Sequence, residues 1–130
     1  MSERHPIIAI TGSSGAGTSS VTRTFDAIFR REGVRPAIIE GDSFHRWDRL
    51  EMRARQAEAE QAGNRHFSHF GPENNLFAEL EQLFRSYGES GSGRCRKYLH
   101  DPAEAAPYRQ EPGTFTAWED VPADTDLLFY

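Results

Sequence analysis

Gly12-Ser13-Ser14-Gly15-Ala16-Gly17-Thr18-Ser19-Ser20 carries the plainest chemistry in the sequence. Gly12, Gly17 and Ser19 occupy the fixed positions of the phosphate-cradling pattern G-x-x-x-x-G-K-[ST], and Thr18 stands where lysine is usual. Glycines let such a loop curl so that successive N–H groups face phosphate oxygens, and the helix that follows adds partial positive charge at its N-terminus. Ser19 falls where a hydroxyl completes the shell of a Mg²⁺ ion shared with a nucleoside triphosphate. A dinucleotide loop requires Gly-x-Gly-x-x-Gly, a spacing that Gly12, Gly15 and Gly17 do not fit. A ligand-free glycine turn is the plain alternative, and the order of strand, loop, helix and second strand favours the phosphate reading. With threonine for lysine, the positive charge on a transferring phosphoryl group must come from another part of the protein.

A second cluster, Glu40-Gly-Asp-Ser-Phe-His-Arg-Trp-Asp-Arg49, follows the second strand, at the carboxyl edge where open α/β sheets bind ligands. Asp42 is placed to accept a proton from an acceptor hydroxyl. His45 and Arg49 are four apart, so a helix beginning near Phe44 puts them on one face, suited to an anionic group such as a sugar phosphate. The plainer readings are a helix cap for Asp42 and a surface ion pair for Arg49. Arg94, Arg96, Lys97, Tyr98 and His100 form a basic, aromatic-bearing cluster that reads equally as a solvated strand or as an anion contact. His66, His69 and His100 have no carboxylate or cysteine at ligand spacing, so a zinc site is not expected.

The elements that must position these residues are legible in part. Pro6 to Thr11 and Pro36 to Glu40 are short apolar runs of the kind found in strands buried on both faces of a parallel sheet. Between them, Val21, Phe25, Ile28 and Phe29 share one face of a helix that Gly33 ends. The resulting βαβ unit implies a right-handed parallel crossover. Asp48 to Gln61 predicts a largely solvated helix with a narrow stripe of Leu50, Ala54 and Ala57. Asn75 to Tyr87 predicts a better anchored helix stopped by Gly88, followed by a flexible loop through Gly93. Arg96 to His100 and Thr114 to Trp118 predict an antiparallel pair, and Asp126 to Tyr130 a third buried strand.

The chain has 130 residues, one cysteine and a formal net charge of −5. Leu, Ile, Val and Phe make up only about a fifth of it, close to the composition of disordered chains, but the interleaved charges speak for a folded domain. The low pI, near 5.5, and the lack of a Lys/Arg stripe argue against nucleic-acid or membrane-surface binding. No apolar run approaches a membrane span, the N-terminus does not resemble a signal peptide, and lone Cys95 suits a reducing compartment, so a cytoplasmic location is expected.

Several motifs then converge. The loop Ile10 to Ser19, Glu40 to His45, Phe67-Ser-His-Phe70, Gly91-Ser-Gly-Arg94, Tyr98-Leu-His-Asp101, Pro112 to Trp118 and Asp126-Leu-Leu-Phe-Tyr130, in this order, resemble the bacterial, octamer-type phosphoribulokinases of the phosphoribulokinase/uridine kinase family. Thr18 is the residue expected at the lysine position in that branch. The resemblance implies a P-loop nucleoside triphosphate hydrolase-like kinase fold, α/β, with a mostly parallel sheet and flanking helices. It also implies Mg²⁺-ATP-dependent phosphorylation of D-ribulose 5-phosphate to ribulose 1,5-bisphosphate in carbon fixation. On that basis residues 12 to 20 bind ATP, with Ser19 near the metal. Asp42 is then the catalytic base, and His45, Arg49, Tyr98 and His100 contact the sugar phosphate.

Arg31 is a candidate for an effector site responding to NADH and AMP, and the family's members form homo-oligomers. The single cysteine lies outside the loop, at odds with the dithiol switch of the plant-type branch. The family pattern continues past the strand matching Leu127 to Tyr130 with an acidic residue and further active-site lysine, arginine and aspartate. The 130 residues therefore read as the N-terminal part of one kinase domain, incomplete towards its C-terminus, impaired or inactive alone and marginally stable. The alternatives are a uridine or pantothenate kinase-like enzyme and a non-catalytic nucleotide-binding module.

Overall fold

The structure is a computed structural model and describes residues 2–13 and 15–130. In chain order the elements are β1 (Ile7–Ile8), α1 (Thr18–Glu32), β2 (Pro36–Ile38), α2 (Arg49–Gln61), α3 (Phe77–Ser90), β3 (Arg94–Cys95), α4 (Pro102–Ala105), β4 (Glu119–Asp120) and β5 (Leu127–Phe129), with short 3₁₀ turns at Gly41–Phe44, Pro72–Asn74 and Ala106–Tyr108. One sheet has the order β1-β5-β2, all parallel, and β3 and β4 form a separate two-stranded ribbon. Two compact units result, one of residues 1–39, 82–95 and 120–130, the other of residues 40–81 and 96–119.

The first unit holds the parallel sheet. Ile7 pairs with Leu128 and Ala37 with the same residue from the other side, and the ladder runs on through Tyr130 N–H to Ile8 and Ile10 N–H to Tyr130. The strand buried as the sequence predicts is therefore β5, whose Leu128 is wholly buried, while β1 is half-buried and Ile38 of β2 is exposed. The cause is position, because β1 and β2 flank the sheet among the described strands and β5 sits between them. The run Leu127–Phe129 thus lies between β1 and β2 in the sheet.

Helix α1 ends where predicted. Gly33 adopts a left-handed conformation, φ 66°, and its N–H reaches back to the helix carbonyls. Its expected apolar face is only half used, since Phe29 is buried and Phe25 half-buried, whereas Val21 and Ile28 remain exposed. Phe25, Phe29 and Phe129 stack with ring centroids 5.2–5.8 Å apart, and burying one such ring contributes about 1.5–3 kcal/mol. Helix α3 continues through Gly88 to Ser90 and Gly91 takes the left-handed turn at φ 70°, so the expected stop at Gly88 and the flexible loop after it are not found. A single glycine costs a helix about 1 kcal/mol, and the buried Leu83 and Tyr87 of the same helix offset that.

In the second unit Asp48 caps α2, its carboxylate accepting the Glu51 N–H at 2.9 Å. The helix is largely solvated as expected, but on a different face. Leu50, Ala54 and Ala57 point to solvent, and Met52 is buried. Alanines bury too little surface to set the face, so the one long, adaptable side chain decides it. The predicted antiparallel pair is present: Tyr98 bridges Phe115, Leu99 N–H donates to Thr114 at 2.9 Å and Thr116 N–H to Lys97 at 2.9 Å.

Candidate active site

The glycine-rich loop lies in the first unit. Gly15 and Gly17 have φ of 82° and 85°, in the left-handed region, and Gly17 is the residue from which α1 starts. At Gly12 an added Cβ would lie 3.1 Å from both the Ala16 and Thr18 side chains, so a larger residue there requires those side chains to shift by a few tenths of an ångström. Thr18 is half-buried; Ser13, Ala16, Ser19 and Ser20 are exposed, and Ser14 lies outside the described residues. The exposed hydroxyls and the helix N-terminus fit a phosphate cradle and its metal. Gly17→Val, which forces a β-branched residue to φ 85°, should lower stability by about 1–2 kcal/mol in urea unfolding of the chain; an unchanged midpoint would count against this conformation.

The second unit gathers the polar residues. Asp42 lies in the 3₁₀ turn after β2, and both its oxygens face imidazoles. Oδ1 is 3.3 Å from His45 Nε2 and Oδ2 is 2.9 Å from His100 Nε2. The far nitrogen of each ring is held by an acceptor: His45 Nδ1 is 2.9 Å from Asn75 Oδ1, and His100 Nδ1 is 3.0 Å from Glu104 Oε2. The two histidines hold the Asp42 carboxyl down at about 2, from an ordinary 3.8, against the opposing effect of burial. For His45 the hydrogen bond to Asp42 comes first among the causes and raises the pKa. For His100 burial works downward, and Asp42 with Glu104 raises it overall.

Local sequence explains how these groups are set. Asp101-Pro102-Ala103-Glu104 opens α4 with a proline in its first turn, and Asp101 caps the helix by accepting the Glu104 N–H. Glu104 then turns back to accept both the backbone N–H and the ring of His100. Arg96 donates from Nε to the Ser43 carbonyl at 2.8 Å and from Nη2 to the His45 carbonyl at 2.6 Å. Its guanidinium also lies 3.6 Å from the Phe115 ring centroid and 4.7 Å from that of Trp118. It thereby fixes the turn that carries Asp42 and His45.

Arg49 joins the cluster by a route the sequence did not suggest. His45 has extended backbone and α2 begins only at Arg49, so the two do not share a helix face. Instead Arg49 Nη2 donates to the His100 carbonyl at 2.7 Å, with its stem against Gly113, where a Cβ would come within 2.7 Å of the Arg49 Cβ. Tyr98 packs edge-on to His100, centroids 4.8 Å apart. Asp42, His45, Arg49, Tyr98 and His100 are thus brought together. Arg31 is on the exposed side of α1, its Nε 3.0 Å from Glu32. Asn75, Glu104 and Gly113 had not been singled out; the Asp-Pro-x-Glu capping pattern was the available signal for Glu104.

These charges set a pH window. The lowered Asp42 pKa contributes stability that is present above 3.8 and lost as pH falls towards about 2. The raised His45 pKa contributes stability that is full below 6.5 and lost as pH rises through its folded value. The stability difference between the native chain and Asp42→Asn should therefore be largest between about pH 4 and 6.5 and shrink on both sides. A difference that is flat from pH 3 to 9 in chemical unfolding would contradict the pairing.

A strand, a glycine-rich turn, a helix opening at that turn and a parallel sheet together define an α/β kinase fold of the P-loop class. The chain matches a solved phosphoribulokinase from Rhodobacter spheroides with a TM-score of 0.83 and 50% identity, over 99% of this chain and 43% of that one. The family model "Phosphoribulokinase / Uridine kinase family" matches residues 7–130, and the chain belongs to that family. Similar relatives include the chromosomal phosphoribulokinase of Cupriavidus necator, 74% identical, and the phosphoribulokinase of Nitrobacter vulgaris, 64% identical, each matched over the whole chain. The chain spans 44% and 45% of the length of those relatives. Among the described residues no helix is long and apolar enough to cross a membrane.

Proposed function

We propose that this chain forms the ATP loop and the acceptor-side carboxylate of a phosphoribulokinase, which phosphorylates ribulose 5-phosphate at its 1-hydroxyl. The observation that carries the reading is Asp42 gripped by His45 and His100, in a chain 74% identical to a phosphoribulokinase. Gly12 to Ser20 would hold the ATP phosphates through backbone N–H groups, and the Ser19 hydroxyl would hold Mg²⁺. The metal, when bound, neutralises phosphate charge. Arg49, His45 and His100 bind the anionic end of the acceptor, Tyr98 packs beside it, and Asp42 accepts the hydroxyl proton. A carboxylate held at about 2 is a weak base, so Asp42 becomes a better proton acceptor as its hydrogen bonds from His45 and His100 weaken.

The test transplants residues 1–130 in place of the matching segment of the Cupriavidus necator phosphoribulokinase and follows ADP release. Release that depends on ribulose 5-phosphate supports the proposal. A folded chimera that binds Mg²⁺-ATP yet releases no ADP with this sugar would overturn it in favour of a binding module.

A further inference from the structure

Asn75 is buried just before α3, and its backbone bridges that of His45. Its amide orientation is fixed twice over, because Nδ2 donates to the His69 carbonyl at 2.7 Å and to the Gly71 carbonyl at 2.8 Å. Flipping the amide would turn its oxygen onto two carbonyl oxygens. The atom facing His45 Nδ1 at 2.9 Å is therefore Oδ1, which only accepts, so Nδ1 must carry a proton. On the other side of the ring, Nε2 faces the Asp42 carboxylate at 3.3 Å, again an acceptor.

Neither neutral tautomer satisfies both contacts; the imidazolium does. We propose that Asn75 is a positioning residue that commits His45 to its cationic form by holding an acceptor on Nδ1. This deepens the reading of His45 as an anion contact and rests on it: the two acceptors keep a positive charge ready on the ring for an anionic substrate group, in a chain whose loop carries Thr18 where lysine is usual. The charged and titratable groups around the ring agree. They are Asp42 on the preceding turn, the His69 ring with its centroid 5.9 Å away, and Arg96, whose guanidinium binds the His45 carbonyl and not the ring. Burial of the ring opposes the charge, and the hydrogen bonds to Asp42 and Asn75 outweigh it.

The experiment is ¹⁵N NMR of the histidine rings in the 130-residue chain across pH. The native chain should titrate at His45 above 6.5 and retain its Nδ1 proton once neutral. Asn75→Leu should lower the midpoint and move the remaining proton to Nε2, facing Asp42, whereas Asn75→Asp, which keeps an acceptor, should leave the proton on Nδ1. A native His45 that is Nε2-protonated when neutral would overturn the proposal even if neither variant folds. So would an unchanged midpoint and tautomer in Asn75→Leu. These readouts follow ring protons alone, so their failure is distinct from failure of the kinase assay.

Discussion

Asp42→Asn in the chimera should lower kcat by about a thousand-fold while KM for ATP stays within a few-fold. Asparagine keeps the shape of the side chain but cannot take a proton, so the loss falls on the step in which the acceptor hydroxyl becomes a nucleophile. The same change removes the anion between His45 and His100. Both histidines should then titrate at lower pH than in the native protein, because hydrogen bonding to Asp42 raises each of them. Steady-state kinetics with varied ATP separates the two parameters. A kcat within ten-fold of the native value would mean that another group accepts the proton.

Arg96→Met should lower the stability of the second unit by about 3 kcal/mol. Methionine can fill the space between Phe115 and Trp118, but it leaves the Ser43 and His45 carbonyls without their charged donor. Hydrogen bonds to a charged group contribute about 1.5–3 kcal/mol each, and stacking on the rings adds to this; the terms overlap, so their sum overstates the loss. Urea unfolding of the 130-residue chain would measure it. A loss below about 1 kcal/mol would show that the turn holds Asp42 and His45 in place without the clamp.

The local features of the fold were readable because short-range chemistry sets them. Gly33 ends α1, Asp48 caps α2, and Tyr98 pairs with Phe115, each as residue type and spacing predict. What the sequence left open or misplaced was decided at a distance. Nothing near Leu127 to Tyr130 tells that this run separates β1 from β2, since the pairing joins segments some ninety residues or more apart. The inward face of α2 could not be read from alanines, and it follows Met52.

The site divides in the same way. Their position after the second strand marks Asp42, His45 and Arg49 as a cluster, but the last two share no helix face. His45 reaches His100 only through Asp42, and Arg49 holds the His100 carbonyl. Asn75 looked like the start of α3, and its real partners are the His45 ring and two loop carbonyls. A side chain that works by satisfying backbone groups leaves no periodic mark in the sequence.

The most direct measurement offers the chimera Mg²⁺-ATP with ribulose 5-phosphate and uridine together and identifies the phosphorylated product by ³¹P NMR. Ribulose 1,5-bisphosphate is the expected sole product, with its formation suppressed by Asp42→Asn. Uridine monophosphate as the main product, or ribulose bisphosphate formed equally well without Asp42, would contradict it.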